Sequence, residues 1–363
     1  MAELLRSESN LKPSELKAAF KRSQHIDALL DQERERKSQE IQLLTLGSGN
    51  SGKSTFIKQL KIVYDDGFNE KERLEYRPQV YRLLAGNIAK ITRAVEQLGL
   101  HFNSHDVKAF AEDLSAETDD DGNNNNSSFT PLGKHEILSD FWGETAVQEC
   151  FESRARFHID ESSKHFFTDI KRVSGEDYVP TQSDILLVRN RTQGVIERSI
   201  LVNNYNYRVI DVGGQKNQRK KWIHFFDGVT AVVFFASLSS YDEQLEEEED
   251  TNAMLDSLDL FEEITHCEFL ANTQFILFLN KLDLFNKKLS KSDLSNCFPE
   301  FKGGTDPGKA LEYVKEQFMS RKPADKHIYV HVTCATETDP MKPVLEDVFE
   351  ILVGINLKRI ASL

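Results

Sequence analysis

A strand-like stretch from Ile41 to Leu46 breaks directly into Gly47-Ser48-Gly49-Asn50-Ser51-Gly52-Lys53-Ser54, and a helix-forming stretch from Thr55 to Val63 follows. Strand, glycine turn and helix in that order form the phosphate-loop pattern, with glycines at its first and sixth places and Lys-Ser at its end. No other feature constrains the fold as tightly, because the pattern works only where a buried strand delivers a loop to the N-terminus of a helix. Each residue type has a task. The glycines let successive N–H groups turn toward phosphate oxygens, Lys53 adds a point charge, and the Ser54 hydroxyl suits magnesium. Gly49, Asn50, Ser51, Gly52, Lys53, Ser54 and Thr55 are therefore candidate phosphate ligands, with Ser54 also a candidate metal ligand.

The 363 residues leave room for two domains, and 39% hydrophobic content fills their cores. The longest apolar runs, Val229 to Ala236 and Phe275 to Asn280, are strand-sized and far short of a membrane span. A formal charge of -14 disfavours nucleic acid as a partner, so phosphate must be handled locally. Cys150, Cys267, Cys297 and Cys334 are spaced like neither a zinc site nor a disulfide framework, which reads as a reducing, cytoplasmic setting. No metal beyond magnesium is expected.

A phosphate loop alone fits ATPases, kinases and GTPases equally, so the base contact must be sought elsewhere. The run Phe275 to Leu279 reads as a buried parallel strand that delivers Asn280-Lys281-Leu282-Asp283 at its C-terminal end, where open α/β sheets bind ligands. An Asp carboxylate can accept from both the ring N–H and the exocyclic amine of guanine, a pair that adenine does not present. Upstream, Tyr207 to Ile210 leads into Asp211-Val212-Gly213-Gly214-Gln215. Asp211 at a strand end can hold magnesium-bound water, the Gly214 N–H can meet a γ-phosphate, and Gln215 can orient a water. Near the end, Val330 to Val332 runs into Thr333-Cys334-Ala335-Thr336, a small-residue turn suited to backbone contact with a base.

Asp211 lies 158 positions after Lys53, whereas a strand-helix-strand unit needs only about 30 residues. A domain-sized piece is inserted. The apolar spacing of Val80 to Val95, Thr145 to Phe151 and Ser163 to Val173 makes it predominantly helical. The polar stretch Asp119 to Ser128 reads as a disordered loop within it, and the acidic run Glu246 to Asp250 as a solvated helix start.

With these four motifs in this order around a helical insertion, the chain resembles the α subunit of heterotrimeric G proteins over nearly its whole length. Asp184 to Gly194 is similar to that family's first switch and Lys220 to His224 to part of its second. The resemblance implies a Ras-like P-loop GTPase domain, a mostly parallel sheet flanked by helices, with an inserted all-helical domain. It divides the chain into an N-terminal helix (1–38), a first GTPase part (39–64), the insertion (65–184) and a second GTPase part (185–363). It further implies that GTP and GDP are the ligands, that Arg189 is a built-in arginine finger acting with Gln215, and that Thr192 is the second protein ligand of magnesium. Leu186 and Leu187 would pack near the nucleotide, and Glu161 and Ser162 would approach from the helical side. A nucleotide-binding scaffold without hydrolysis is opposed by Arg189 and Gln215, and an ATPase or kinase by the Asn280 to Asp283 motif.

The sequence departs from that pattern at Asn50, where relatives carry a Glu that pairs with the finger, so Arg189 is expected to be less tethered here. Lys216-Asn217-Gln218 replaces the usual Arg and Glu of the second switch. Ala2 stands where myristoylation needs Gly, and no Cys precedes Cys150, so no acyl anchor is evident. By resemblance, the partners are a βγ dimer on the N-terminal helix and second switch, a seven-helix receptor on the last helix around Val344 to Leu357, and an RGS-type accelerating protein. The effector is unknown. Peripheral placement at the inner face of the plasma membrane would then come through partners, aided weakly by Lys12, Lys17, Lys21 and Arg22.

Overall fold

The computed structural model describes residues 21–28, 40–118, 129–154, 156–189, 192 and 194–361. Most of the expected N-terminal helix and the loop 119–128 lie outside them; residues 21–28 are helical and exposed. No helix among the described residues is long and apolar enough to cross a membrane.

A six-stranded sheet organises the chain. Its strands are β1 (Ile41–Gly47), β2 (Val195–Val202), β3 (Tyr205–Val212), β4 (Ala231–Ser237), β7 (Gln274–Asn280) and β8 (Ile328–Val332), in the order β2-β3-β1-β4-β7-β8. Only β2 runs antiparallel to its neighbour β3; the other pairings are parallel. Parallel strands must be covered on both faces, which is why β4 and β7 are apolar from Ala231 to Ala236 and from Phe275 to Leu279. Alternate residues serve opposite layers. Leu44, Leu46, Val232, Phe234 and Leu277 face one core, while Ile41, Leu43, Val233, Phe235, Ile276 and Phe278 face the other.

The first core is completed by α10 (Ala253–Thr265) and α12 (Pro307–Ser320), and the second by α1 (Lys53–Tyr64) and α13 (Thr338–Ala361). On α13, Leu345, Val348, Phe349 and Leu352 are buried at helical spacing as expected, but the helix begins six residues earlier than the apolar pattern alone suggested. Two short elements complete this part: β5 (Gln244–Leu245) pairs with β6 (Glu248–Asn252), and α11 (Leu282–Leu289) follows β7. The acidic run is thus a hairpin, not a helix start. Asn252 stops it by accepting the N–H groups of Met254 and Leu255, so α10 starts only at Ala253.

Between α1 and β2 lie α2 (Glu70–Gln97), α3 (His105–Ala116), α4 (His135–Gly143), α5 (Thr145–Glu152), α6 (Ser163–Thr168), α7 (Ile170–Val173) and α8 (Gln182–Leu187). Asn69 and Glu72 cap α2 reciprocally, and Val80, Leu84, Ile88, Ile91 and Val95 put its apolar stripe into a third core with Phe141, Val147 and Phe166. The stretch Ser163 to Val173, expected as one helix, is two. Asp169 ends α6 in a non-helical conformation, and its carboxylate takes the Arg172 guanidinium.

Asp184 fastens α6 and α7 to the start of α8. Fully buried, it accepts from His165 Nε2 (2.7 Å), Arg172 (2.7 and 3.0 Å), Tyr178 OH (3.1 Å) and the Thr181 N–H (2.9 Å). Burial works against its charge, yet His165, Arg172 and Thr181 together hold the carboxyl well below the usual range. Asp184→Asn is therefore expected to cost about 3 kcal/mol, seen as a lower urea midpoint at neutral pH. A depressed pKa stabilises the fold above the ordinary carboxylate value and less as pH falls toward the folded one. The deficit should shrink below about pH 4, and a deficit independent of pH would contradict the assignment.

Candidate nucleotide site

The loop between β1 and α1 opens onto a cavity of about 720 Å³ at the C-terminal ends of the parallel strands. Lys53 is buried with its Nζ 2.7 Å from the Ser48 carbonyl and 3.0 Å from that of Gly47, and Ser51 Oγ donates to the Ser48 carbonyl at 2.9 Å. Burial pulls the Lys53 ammonium down to about 8, with Asp211 opposing the fall. Gly52 adopts φ +107°, and a Cβ there would stand 2.1 Å from Asn280 Nδ2, so no other residue fits without displacing Asn280. Gly214 is confined from the other side. A Cβ on it would meet Lys53 Nζ at 2.4 Å and the Gly47 and Ser48 carbonyls at 2.5 and 2.7 Å.

Hard oxygens converge at the start of α1. Ser54 Oγ is 2.8 Å from Thr192 Oγ1 and 2.8 Å from Asp211 Oδ2, while Asp211 Oδ1 accepts from Thr45 Oγ1 at 2.9 Å. Burial raises the Asp211 carboxyl, against the pull of Lys53 and the two hydroxyls. Two hydroxyls and a carboxylate are a donor set for a small hard cation such as magnesium.

At the far end, Asn280 acts as a bolt between three segments. Its Nδ2 donates to the Ser51 carbonyl (2.9 Å), and its Oδ1 accepts from the Ala335 N–H (3.0 Å) and Thr333 Oγ1 (3.1 Å). Gln59 adds a bond to the Ala335 carbonyl at 2.9 Å. Lys281 takes φ +65° so that the chain can turn from β7 into α11, which brings Asp283 to the cavity. Asp283 Oδ1 lies 3.2 Å from Cys334 Sγ, whose thiol burial pushes up to about 12, so the sulfur stays a neutral donor. Thr336 completes this wall.

Gln215 lies beside the phosphate loop, and Arg189 lines the same cavity. Gln215 precedes α9 (Lys216–Arg219) and lies beside Gly49, its Cγ 3.9 Å from where a Gly49 Cβ would be. Trp222 Nε1 fixes the Gly213 carbonyl at 2.9 Å, and Arg219 ties the Gly214 carbonyl (3.2 Å) to Asp256 through a fork of 3.0 and 2.6 Å. Arg189 is not left loosely tethered, contrary to the expectation from Asn50. Its guanidinium forks onto Glu246 at 2.8 and 2.9 Å. Burial opposes that charge, but Glu246 and Asp160 raise its pKa further. Asn50 itself occupies the left-handed region, φ 59°, which Asn tolerates better than Glu.

Leu186, Leu187 and Ser162 line the remaining wall. Ser162 is held by its N–H and Oγ on Asp160 Oδ1 at 2.9 and 2.7 Å. Every residue that the sequence marked for the site therefore borders one cavity.

The profile of the G-protein alpha subunit family matches residues 20–352 of the chain. The chain belongs to that family. It is similar to the guanine nucleotide-binding protein G(o) subunit alpha of Caenorhabditis elegans, 39% identical over 95% of this chain and 97% of the relative. The G(o) subunit alpha of Locusta migratoria is 38% identical, again over 95% of this chain and 97% of the relative. As a G-protein α subunit the chain binds GTP and GDP and hydrolyses GTP as a signalling switch.

Several cavity residues of this α subunit had no readable signal. Lys58 lies on α1 and caps the end of α8 by donating to the Ile185 and Val188 carbonyls, both at 2.8 Å; burial brings its ammonium to about 8. Its position five residues after Lys53 hinted only at a helix face. Asp160, Glu243 and Glu246 were hidden because a charge in a loop reads as solvated until its partner is known.

Proposed function

We propose that the cavity residues of this α subunit divide the work of a magnesium-dependent, receptor-coupled GTP switch. Lys53 and the N–H groups of Gly49 to Thr55 bind the phosphates, whose charge favours the ammonium that burial disfavours. Ser54 and Thr192 would hold magnesium, with Asp211 behind them. The bound metal would supply positive charge against the phosphate oxygens. Arg189 meets charge developing on the γ-phosphate, Gln215 orients the attacking water, and the Gly214 N–H senses the γ-phosphate. Asp283 reads guanine, with the Cys334-Ala335-Thr336 turn beside it. Leu186, Leu187 and Ser162 close the pocket, and Asn280 and Lys281 shape its base end.

On this reading residues 39–64 and 185–363 form the GTPase lobe and 65–184 the helical lobe that covers the nucleotide. Loss of the γ-phosphate frees the loops of Thr192 and Gly214, which changes the surface offered to a βγ dimer and an RGS-type protein. A seven-helix receptor acts on the end of α13, and partners place the chain at the inner face of the plasma membrane. The supporting observation is the convergence of Ser54, Thr192 and Asp211 oxygens within 2.8 Å beside the phosphate loop. A magnesium titration of single-turnover GTP hydrolysis tests it. Ser54→Ala should raise the magnesium needed for half-maximal rate by about tenfold or more. An unchanged requirement would overturn the metal assignment.

A further inference from the structure

The hairpin of β5 and β6 carries three consecutive carboxylates to both loops that hold the proposed catalytic side chains. Glu246 forks onto Arg189, Glu247 Oε2 accepts the Lys216 N–H directly after Gln215 (2.7 Å), and Glu248 pairs with the Lys216 ammonium. The hairpin is itself anchored. Lys288 on α11 grips Asp242 (2.7 Å), Glu243 (2.6 Å) and the Ser239 carbonyl (2.9 Å) just before it, and Asn252 Nδ2 donates to the Tyr241 carbonyl (2.7 Å) at its end.

We propose that Glu246 is a positioning residue for GTP hydrolysis, holding the Arg189 guanidinium in the cavity that the phosphate loop lines. The side chains are only 26% and 24% exposed, so solvent screens this pair less than an ordinary surface pair. A guanidinium has five N–H donors in a planar array, and a carboxylate fork uses two, which leaves others for phosphate oxygens. Tether and reach are therefore compatible. Without the fork, a long, flexible side chain must be ordered at the moment of reaction.

The inference rests on the reading of Arg189 as the finger, and the experiment separates the two. Single-turnover GTP hydrolysis is measured with saturating nucleotide and magnesium on the full chain, on Glu246→Gln and Glu246→Asp, and on each paired with Arg189→Cys. Glu246→Gln should slow hydrolysis about five- to tenfold with GTP affinity unchanged, Glu246→Asp should recover part of the loss because the charge returns, and neither should matter once Arg189 is Cys. Wild-type hydrolysis by Glu246→Gln, beside a slow Arg189→Cys, would overturn the role of Glu246 alone. An equal loss with and without Arg189 would do the same. Wild-type hydrolysis by Arg189→Cys would remove the finger reading and this inference with it.

Discussion

Arg189→Cys is expected to leave GTP bound while slowing single-turnover hydrolysis about 100- to 1000-fold, the scale for removing one preorganised donor to developing charge. Phosphoryl transfer spreads negative charge over the γ-phosphate and bridging oxygens, so a cation at that end gains more in the transition state than in the ground state. Arg189 lines the cavity that the phosphate loop and Gln215 also line, and on the proposed reading its guanidinium meets that charge once nucleotide is bound. Gln215→Leu should act in the same direction by removing the group that orients water. Arg189→Lys should rescue little, because an ammonium offers a point charge without the planar fork. Hydrolysis at the original rate in both Arg189→Cys and Gln215→Leu would show that the catalytic groups lie elsewhere.

Asp283→Asn should weaken GTP binding by about 100-fold or more without improving ATP binding. A carboxylate can accept two hydrogen bonds from guanine, whereas an amide presents one acceptor and one donor, leaving a donor facing a donor. Asp283 is brought to the cavity by the left-handed turn at Lys281, and its contact with Cys334 ties it to the turn after β8. Competition between GTP and ATP for a fluorescent nucleotide would measure the change. Equal GTP affinity in the two proteins would place the base in another part of the cavity.

The sheet and the nucleotide site were legible because their residues face strict local demands. A parallel strand covered on both sides must be apolar through its middle, as β4 and β7 are, and a loop that approaches phosphate needs glycine where a Cβ would collide, as at Gly52 and Gly214. The helical insertion was legible as a class, from length and apolar spacing. Its internal break at Asp169 was not, since it depends on a local conformation stabilised by Arg172. The acidic hairpin was misread for a different reason: a run of Glu satisfies a solvated helix as well as an ion-paired strand. Only the approach of Arg189 and Lys216 from distant parts of the chain distinguishes them. Asn50 taught the same lesson, because the acid that holds Arg189 comes from position 246 instead of the phosphate loop.

On the proposed reading, bound nucleotide and partner binding are coupled through the loops of Thr192 and Gly214. Linkage requires that a partner preferring the GDP form raise the affinity for GDP by the same factor that GDP raises affinity for the partner. Release of a fluorescent GDP, timed by stopped flow with and without a βγ dimer, measures that coupling most directly. Release should be slower in the presence of βγ; identical release with βγ shown to be bound would mean that nucleotide and partner are not coupled.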